Sequence, residues 1–140
     1  MKQMKRLTIQ GVDCCSLAAQ YGTPLVIYDE SKIEKQLSLA MGHFQSEQFE
    51  TEVVYAAKAF SCRAMFEKVK EAGAGLDVVS GGELYCAVVS GIDMKRVFFH
   101  GNNKSEEELR MALSTGCGTI VIDNEMECET LVHLAEEKQR

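Results

Sequence analysis

Apolar and polar positions alternate with two different periods along this chain, and from Val53 onward the alternation itself repeats. Apolar runs begin at Val53, Gly75, Val97 and Thr119, each 22 residues after the last, and read VVYAAK, GLDVVS, VFFHGN and TIVIDN. Between and after them lie segments with apolar residues at helical spacing: Cys62, Met65, Phe66 and Val69; Leu84, Ala87 and Val88; Leu109, Ala112 and Leu113; Cys128, Leu131, Val132 and Ala135. Residues at i, i+3, i+4 and i+7 share one face of a helix. Short apolar strands alternating with such helices predict βαβ units, in which a parallel sheet is joined by right-handed crossovers. The punctuation agrees with the period. Ser80 with Glu83 and Ser105 with Glu108 fit the capping box, and Gly73, Gly91 and Gly116 suit the left-handed position after a helix end.

The segment ahead of the repeats is less regular. Leu7 to Val12 predicts a strand, Asp13 to Tyr21 a short helix capped by Asp13 and ended by Gly22, and Leu25 to Tyr28 a second short strand. Ser31 with Glu34 predicts a capping box opening an amphipathic helix whose stripe is Ile33, Leu37, Ala40 and Phe44, and the polar stretch Gln45 to Glu52 predicts a loop. The domain division expected is therefore 1–48, an N-terminal strand with lead-in helices, followed by 49–140, a barrel-like repeat. The cadence favours a TIM-type (βα)8 barrel, which takes about 250 residues and eight strands. Four units are present, and the sequence stops inside the fourth helix at Lys138-Gln139-Arg140. The fold class expected is thus α/β, a partial (βα)8 barrel comprising the first four βα units, whose open edges invite pairing with another chain.

Charge and cysteine content narrow the partners. A net charge of −6 over 140 residues, with acidic residues spread across helix faces, excludes a nucleic-acid surface, which needs a basic patch. Lys2, Lys5 and Arg6 begin the chain, but no apolar run follows that resembles a secretory signal or reaches the length of a membrane span. A cytoplasmic protein is expected. None of the six cysteines forms a C-x-x-C pair or has a histidine at ligand spacing, so no metal site is expected and the cysteines read as reduced, buried small hydrophobes. His43 and His133 read as surface residues.

Lys58 carries the candidate chemistry, because a lone cation ends the otherwise apolar run Val53-Val54-Tyr55-Ala56-Ala57. In α/β barrels the active site lies at the carboxyl ends of the strands, which groups Lys58, Asp77, Ser80, His100, Asn102, Asn103 and Asp123. A lysine in a partly dry barrel mouth has its ammonium form disfavoured, which makes a nucleophilic amine able to form a Schiff base. Asp77 interrupts the second strand and offers that lysine a counter-charge.

The segments YGTPLVIYD (21–29), VYAAKA (54–59), GLDVVSGGEL (75–84) and FHGNNKSEEEL (99–109) resemble diaminopimelate decarboxylase, of the alanine-racemase-like, fold-type III group of pyridoxal-phosphate enzymes. The resemblance runs in order over nearly the whole chain, and VVSGGEL with HGNNKS is its most specific part. It implies pyridoxal 5'-phosphate as cofactor, carried on Lys58 through a Schiff base, and a decarboxylation that yields L-lysine from meso-diaminopimelate. It also implies that Asp77, Ser80 and His100 lie near the cofactor, that the substrate is a small amino acid, and that the full-length form is a homodimer. A sibling decarboxylase, an amino acid racemase or a non-catalytic half barrel are the alternatives. Glu83 is either an acidic residue near the cofactor or, by preference, the partner in a helix cap; Ser80 is a cap first. His100 lines the mouth or packs. Lys104 reads as a solvated lysine at a helix start, with a substrate carboxylate as its other possible partner. The family's phosphate-binding segment and cysteine proton donor correspond to no part of residues 1–140, so this chain by itself is expected to be inactive.

Overall fold

A computed structural model describes residues 6–139. Lys2, Lys5 and Arg140 lie outside the described residues. The chain divides into two compact units between Gln36 and Leu37.

In the first unit the strand expected over Leu7 to Val12 is a hairpin. β1 (Thr8–Ile9) pairs antiparallel with β2 (Val12–Asp13), with Thr8 opposite Asp13. The reason is the Gln10-Gly11 pair, which takes φ of 48° and 79°, the left-handed values that a two-residue hairpin turn demands. Helix α1 (Cys14–Tyr21) follows at once, capped by Asp13, whose carboxylate accepts from the Cys15 amide at 2.8 Å. Leu25 to Tyr28 forms no strand and stays exposed. Helix α2 (Glu30–His43), which continues into the second unit from Leu37, begins two residues earlier than a cap at Ser31 would set it, because Asp29 caps it: Asp29 Oδ1 accepts from the Lys32 amide at 3.2 Å and from Ser31 Oγ at 2.8 Å.

The second unit contains the repeats. Strands β3 (Val54–Ala56), β4 (Gly75–Val78), β5 (Val97–Phe99) and β6 (Thr119–Ile120) form one sheet in that order, every pair parallel. Helices α3 (Arg63–Glu71), α4 (Gly81–Ser90), α5 (Glu106–Thr115) and α6 (Glu125–Gln139) alternate with them. The register sets Asp77 beside Ala56 and Phe98, and Val78 beside Phe99. When strand order never reverses, right-handed crossovers put every helix on the same face of the sheet. Burial agrees: Leu76, Val78, Val97 and Phe99 are wholly buried against Phe66, Val69, Leu84, Leu109 and Leu134, whereas Asp77 and Phe98, pointing the other way, are only half-buried. Each of these fully buried side chains contributes about 1.5–3 kcal/mol relative to exposure.

Local sequence accounts for the helix boundaries. Ser80, Asp93 and Ser105 each accept an amide at the start of a helical turn, and Gly91 and Gly116 end α4 and α5 at φ of 69° and 74°. Gly118 precedes β6 for a steric reason: a Cβ there would lie 2.0 Å from the Lys95 carbonyl oxygen, while the Gly118 amide donates to Met94 O at 2.8 Å.

Two expected stripes shift. On α4, Ser90 is buried and Val88 is 38 % exposed. On α6, Cys128 and Val132 face outward, and the inner face is Glu127 and Leu134. The cause is an ion pair that draws Glu127 inside, described below. The six cysteines are free thiols, as expected of reduced residues, but none is buried; Cys15 and Cys128 are exposed.

Candidate active site at the strand carboxyl ends

Strand β3 ends at Ala56, and Lys58 sits in the single 3₁₀ turn Ala57–Ala59 that follows. Ala57 is wholly buried and anchors the turn, while Lys58 itself is exposed. The dry mouth expected around this amine is therefore not formed by the described residues. Tyr55 braces the same turn, its hydroxyl donating to Phe60 O at 3.2 Å.

The adjacent strands bring two further candidates into contact. Asp77 on β4 and His100, just beyond β5, lie on the sheet face that the helices leave bare, and His100 Nδ1 meets Asp77 Oδ1. The His100 amide donates to Val78 O at 2.8 Å, continuing the ladder one residue past the strand. A carboxylate only accepts, so the contact puts the proton on Nδ1 and leaves Nε2 as the nitrogen turned away from Asp77.

Ser80 is occupied differently. Its Oγ accepts from the Glu83 amide at 3.3 Å, capping α4, and Glu83 Oε2 reaches back to the Val79 amide at 2.8 Å, one residue short of a reciprocal box. The Gly81 amide donates to Glu108 Oε1 at 2.6 Å, a carboxylate supplied by the next helix. Glu108 also completes the full capping box of α5, accepting from the Ser105 amide at 2.9 Å and Ser105 Oγ at 3.0 Å. One carboxylate thus serves two helix starts. The Ser105 amide, with help from Gly81, Ser105 Oγ and the Lys104 charge, holds its pKa below the usual carboxylate range against the opposing effect of burial. Asn102, Asn103 and Asp123 are exposed in the loops of this rim, and Asn124 caps α6 through the Glu127 amide at 2.9 Å.

Lys104 corrects the sequence reading most. Far from solvated, its side chain is 1 % exposed, and its ammonium lies 2.7 Å from the Glu127 carboxylate, itself 4 % exposed. It donates to Gly101 O at 2.6 Å and Val121 O at 2.8 Å, and lies 5.7 Å from the centre of the Phe99 ring. Nothing in local periodicity marks this pair, because its members sit on different βα units; the cue available was Lys104 following a strand-end glycine. Among the described residues no cluster of histidine, cysteine and carboxylate side chains could hold a metal ion, and no helix is long and apolar enough to cross a membrane.

An exposed amine on the turn after β3 and a carboxylate–imidazole pair at the ends of the next two strands are groups that would suit an aldehyde-bearing ring, the amine as its point of attachment. A phosphate would need free amides, and those of Val79, Gly81 and Glu83 at the α4 turn are already taken. The arrangement thus fits the ring and aldehyde of a pyridoxal group, with its phosphate held elsewhere.

Residues 30–140 match the family described as pyridoxal-dependent decarboxylase, pyridoxal binding domain. The chain is 47% identical over 133 residues to a diaminopimelate decarboxylase of Halalkalibacterium halodurans, covering 95% of this chain and 30% of that one. It is 49% identical over 135 residues to the Bacillus subtilis enzyme of the same name, covering 96% and 31%. A crystal structure of diaminopimelate decarboxylase from M. jannaschii in complex with L-lysine superposes with a TM-score of 0.86 at 32% identity, covering 99% of this chain and 33% of that one. The chain spans about a third of the length of the relatives it matches.

Proposed function

Because this chain belongs to the pyridoxal-dependent decarboxylase family through its pyridoxal-binding domain, we propose that it forms part of an enzyme that decarboxylates meso-diaminopimelate to L-lysine with pyridoxal 5'-phosphate as cofactor. The observation that carries the proposal is the placement of Lys58 at the end of β3, beside the strand whose bare face holds the Asp77–His100 pair. The substrate rests on the likeness to proteins named diaminopimelate decarboxylase and to one solved with L-lysine.

Residues 49–140 are, in this reading, the first four units of a (βα)8 barrel. Parallel sheets occur almost only with both faces covered, and here only one face carries helices, so closure into a barrel accounts for the bare one. Lys58 then faces the barrel mouth, and the strands that complete the barrel supply the dry surround that these residues do not. Homodimeric assembly and a cytoplasmic setting are part of the same proposal.

Pyridoxal phosphate, when bound, supplies an electron sink for the bonding pair left by a departing carboxylate. Lys58 Nζ would hold it through its aldehyde. Asp77 accepts a hydrogen bond from His100 Nδ1 and so fixes the imidazole plane, which would leave Nε2 to meet the bound group. Ser80 and Glu83 act one step back: by capping α4 they set the turn that follows Asp77 and Val78.

Borohydride treatment of the complete natural protein followed by peptide mapping tests the attachment. The pyridoxyl group is expected on Lys58, and its recovery on another lysine overturns the assignment. Carbon dioxide release should be rapid from meso-diaminopimelate and slow from ornithine or arginine; the reverse preference moves the protein to a sibling branch.

A further inference from the structure

We infer that Lys104 is a positioning residue for the rim of the proposed cofactor site, acting through the backbone that carries His100; the inference rests on the reading of that site given above. Desolvating two charges costs several kcal/mol per ion, and apolar side chains of equal volume usually serve stability as well or better. A buried Lys104–Glu127 pair, with side chains 1 % and 4 % exposed, is therefore a poor means of stabilising this rim. What it supplies is direction. The ammonium gathers the Gly101 carbonyl at the end of β5, the Val121 carbonyl at the end of β6 and the first turn of α6 onto one point. Glu127 Oε1 meets it as a counter-charge, outside hydrogen-bond directions, so the directed bonds are the two to backbone carbonyls.

Gly101 is the residue after His100. It holds φ of 123°, and a Cβ there would lie 3.1 Å from Val79 O and 3.6 Å from Lys104 Cγ, so this peptide is held between the β4 end and the Lys104 stem. His100 is thus fixed on one side by its amide on Val78 O and on the other by the Lys104 bond to Gly101 O. Its ring reaches Asp77 on the neighbouring strand only while that segment stays in place. Asn102 and Asn103, between Gly101 and Lys104, form the remainder of the same short loop.

Removing Lys104 alone strands a buried carboxylate and is expected to unfold the protein, which says nothing about positioning. The informative variants are the neutral pairs Lys104→Met/Glu127→Gln and Lys104→Gln/Glu127→Gln in the complete natural chain, with Val69→Ala as a control that loosens the core away from the rim. In protein labelled with nitrogen-15 histidine and free of cofactor, the Nδ1 proton signal of His100 against Asp77 is expected to vanish in the pairs and persist in the control. The dissociation constant for pyridoxal phosphate is expected to rise at least tenfold in the pairs and less than threefold in the control. A pair that folds and keeps both the His100 signal and parental binding overturns the inference, as does failure of both pairs to fold, since the ion pair is then structural. The cofactor-free signal separates the two readings: if it vanishes in the pairs while the parent binds no pyridoxal phosphate, the role of Lys104 stands and the proposed function falls.

Discussion

Glu108 joins two βα units, and replacing it tests whether one carboxylate serves two helix starts. In Glu108→Ala the α5 capping box is lost, worth about 1 kcal/mol, and the Gly81 amide loses a charged acceptor at 2.6 Å, worth about 1.5–3 kcal/mol. The sum is about 3 kcal/mol, which lowers the melting temperature of a domain of this size by about 12 °C. The direction with pH follows from the lowered pKa of the folded carboxyl. A lowered folded value means that the contribution is complete above the unfolded carboxyl range, near pH ~4.3, and is lost as pH falls through the folded value. Parent and variant should therefore converge on acidification. A double-mutant cycle sharpens the test. A Cβ at Gly81 would lie 3.0 Å from Glu108 Cγ and 3.2 Å from its Oε1, so Gly81→Ala is expected to destabilise the parent. In the Glu108→Ala background that obstruction is gone, and alanine is the better helix former by about 1 kcal/mol, so the same change should be neutral or stabilising. Urea unfolding of the four proteins at pH 7 measures the cycle. Additive effects within about 0.5 kcal/mol would refute the bridging role, because independent sites add to that precision.

Gly118→Ala should abolish folding or cost about 3 kcal/mol or more, because the new methyl would meet backbone at Lys95, which has no rotamer to turn aside; circular dichroism melting shows it, and a parental melt removes the close approach. Phe66→Ala is expected to cost about 3–5 kcal/mol, since the ring is wholly buried between α3 and the sheet. Under the same melting assay, Cys128→Ser, at an exposed position, should stay within about 0.5 kcal/mol of the parent.

The candidate site was partly legible. Lys58, Asp77 and His100 each stand at or near the carboxyl end of a strand run in the 22-residue repeat, though not at the same point of it, and a parallel sheet brings its strand ends together. Asp77 and His100 do meet. Ser80 was legible as a cap because capping is local, while Lys104 was misread because the contacts that bury it come from Val121 and Glu127, on later elements.

Local rules determined most of the repeat unit. Strand starts at 54, 75, 97 and 119, the caps at Ser80 and Ser105, and the glycines after α4 and α5 follow from periodicity, side-chain oxygens and φ, all properties of a few consecutive residues. Tertiary structure decided what depends on residues distant in sequence. It turned α6 so that Glu127 rather than Cys128 faces inward, and gave Glu108 a second helix to cap. Each of these is a pairing energy between groups that no periodicity connects. A buried ammonium requires a counter-charge, and that of Lys104 stands on the same inner face of α6 as Leu134.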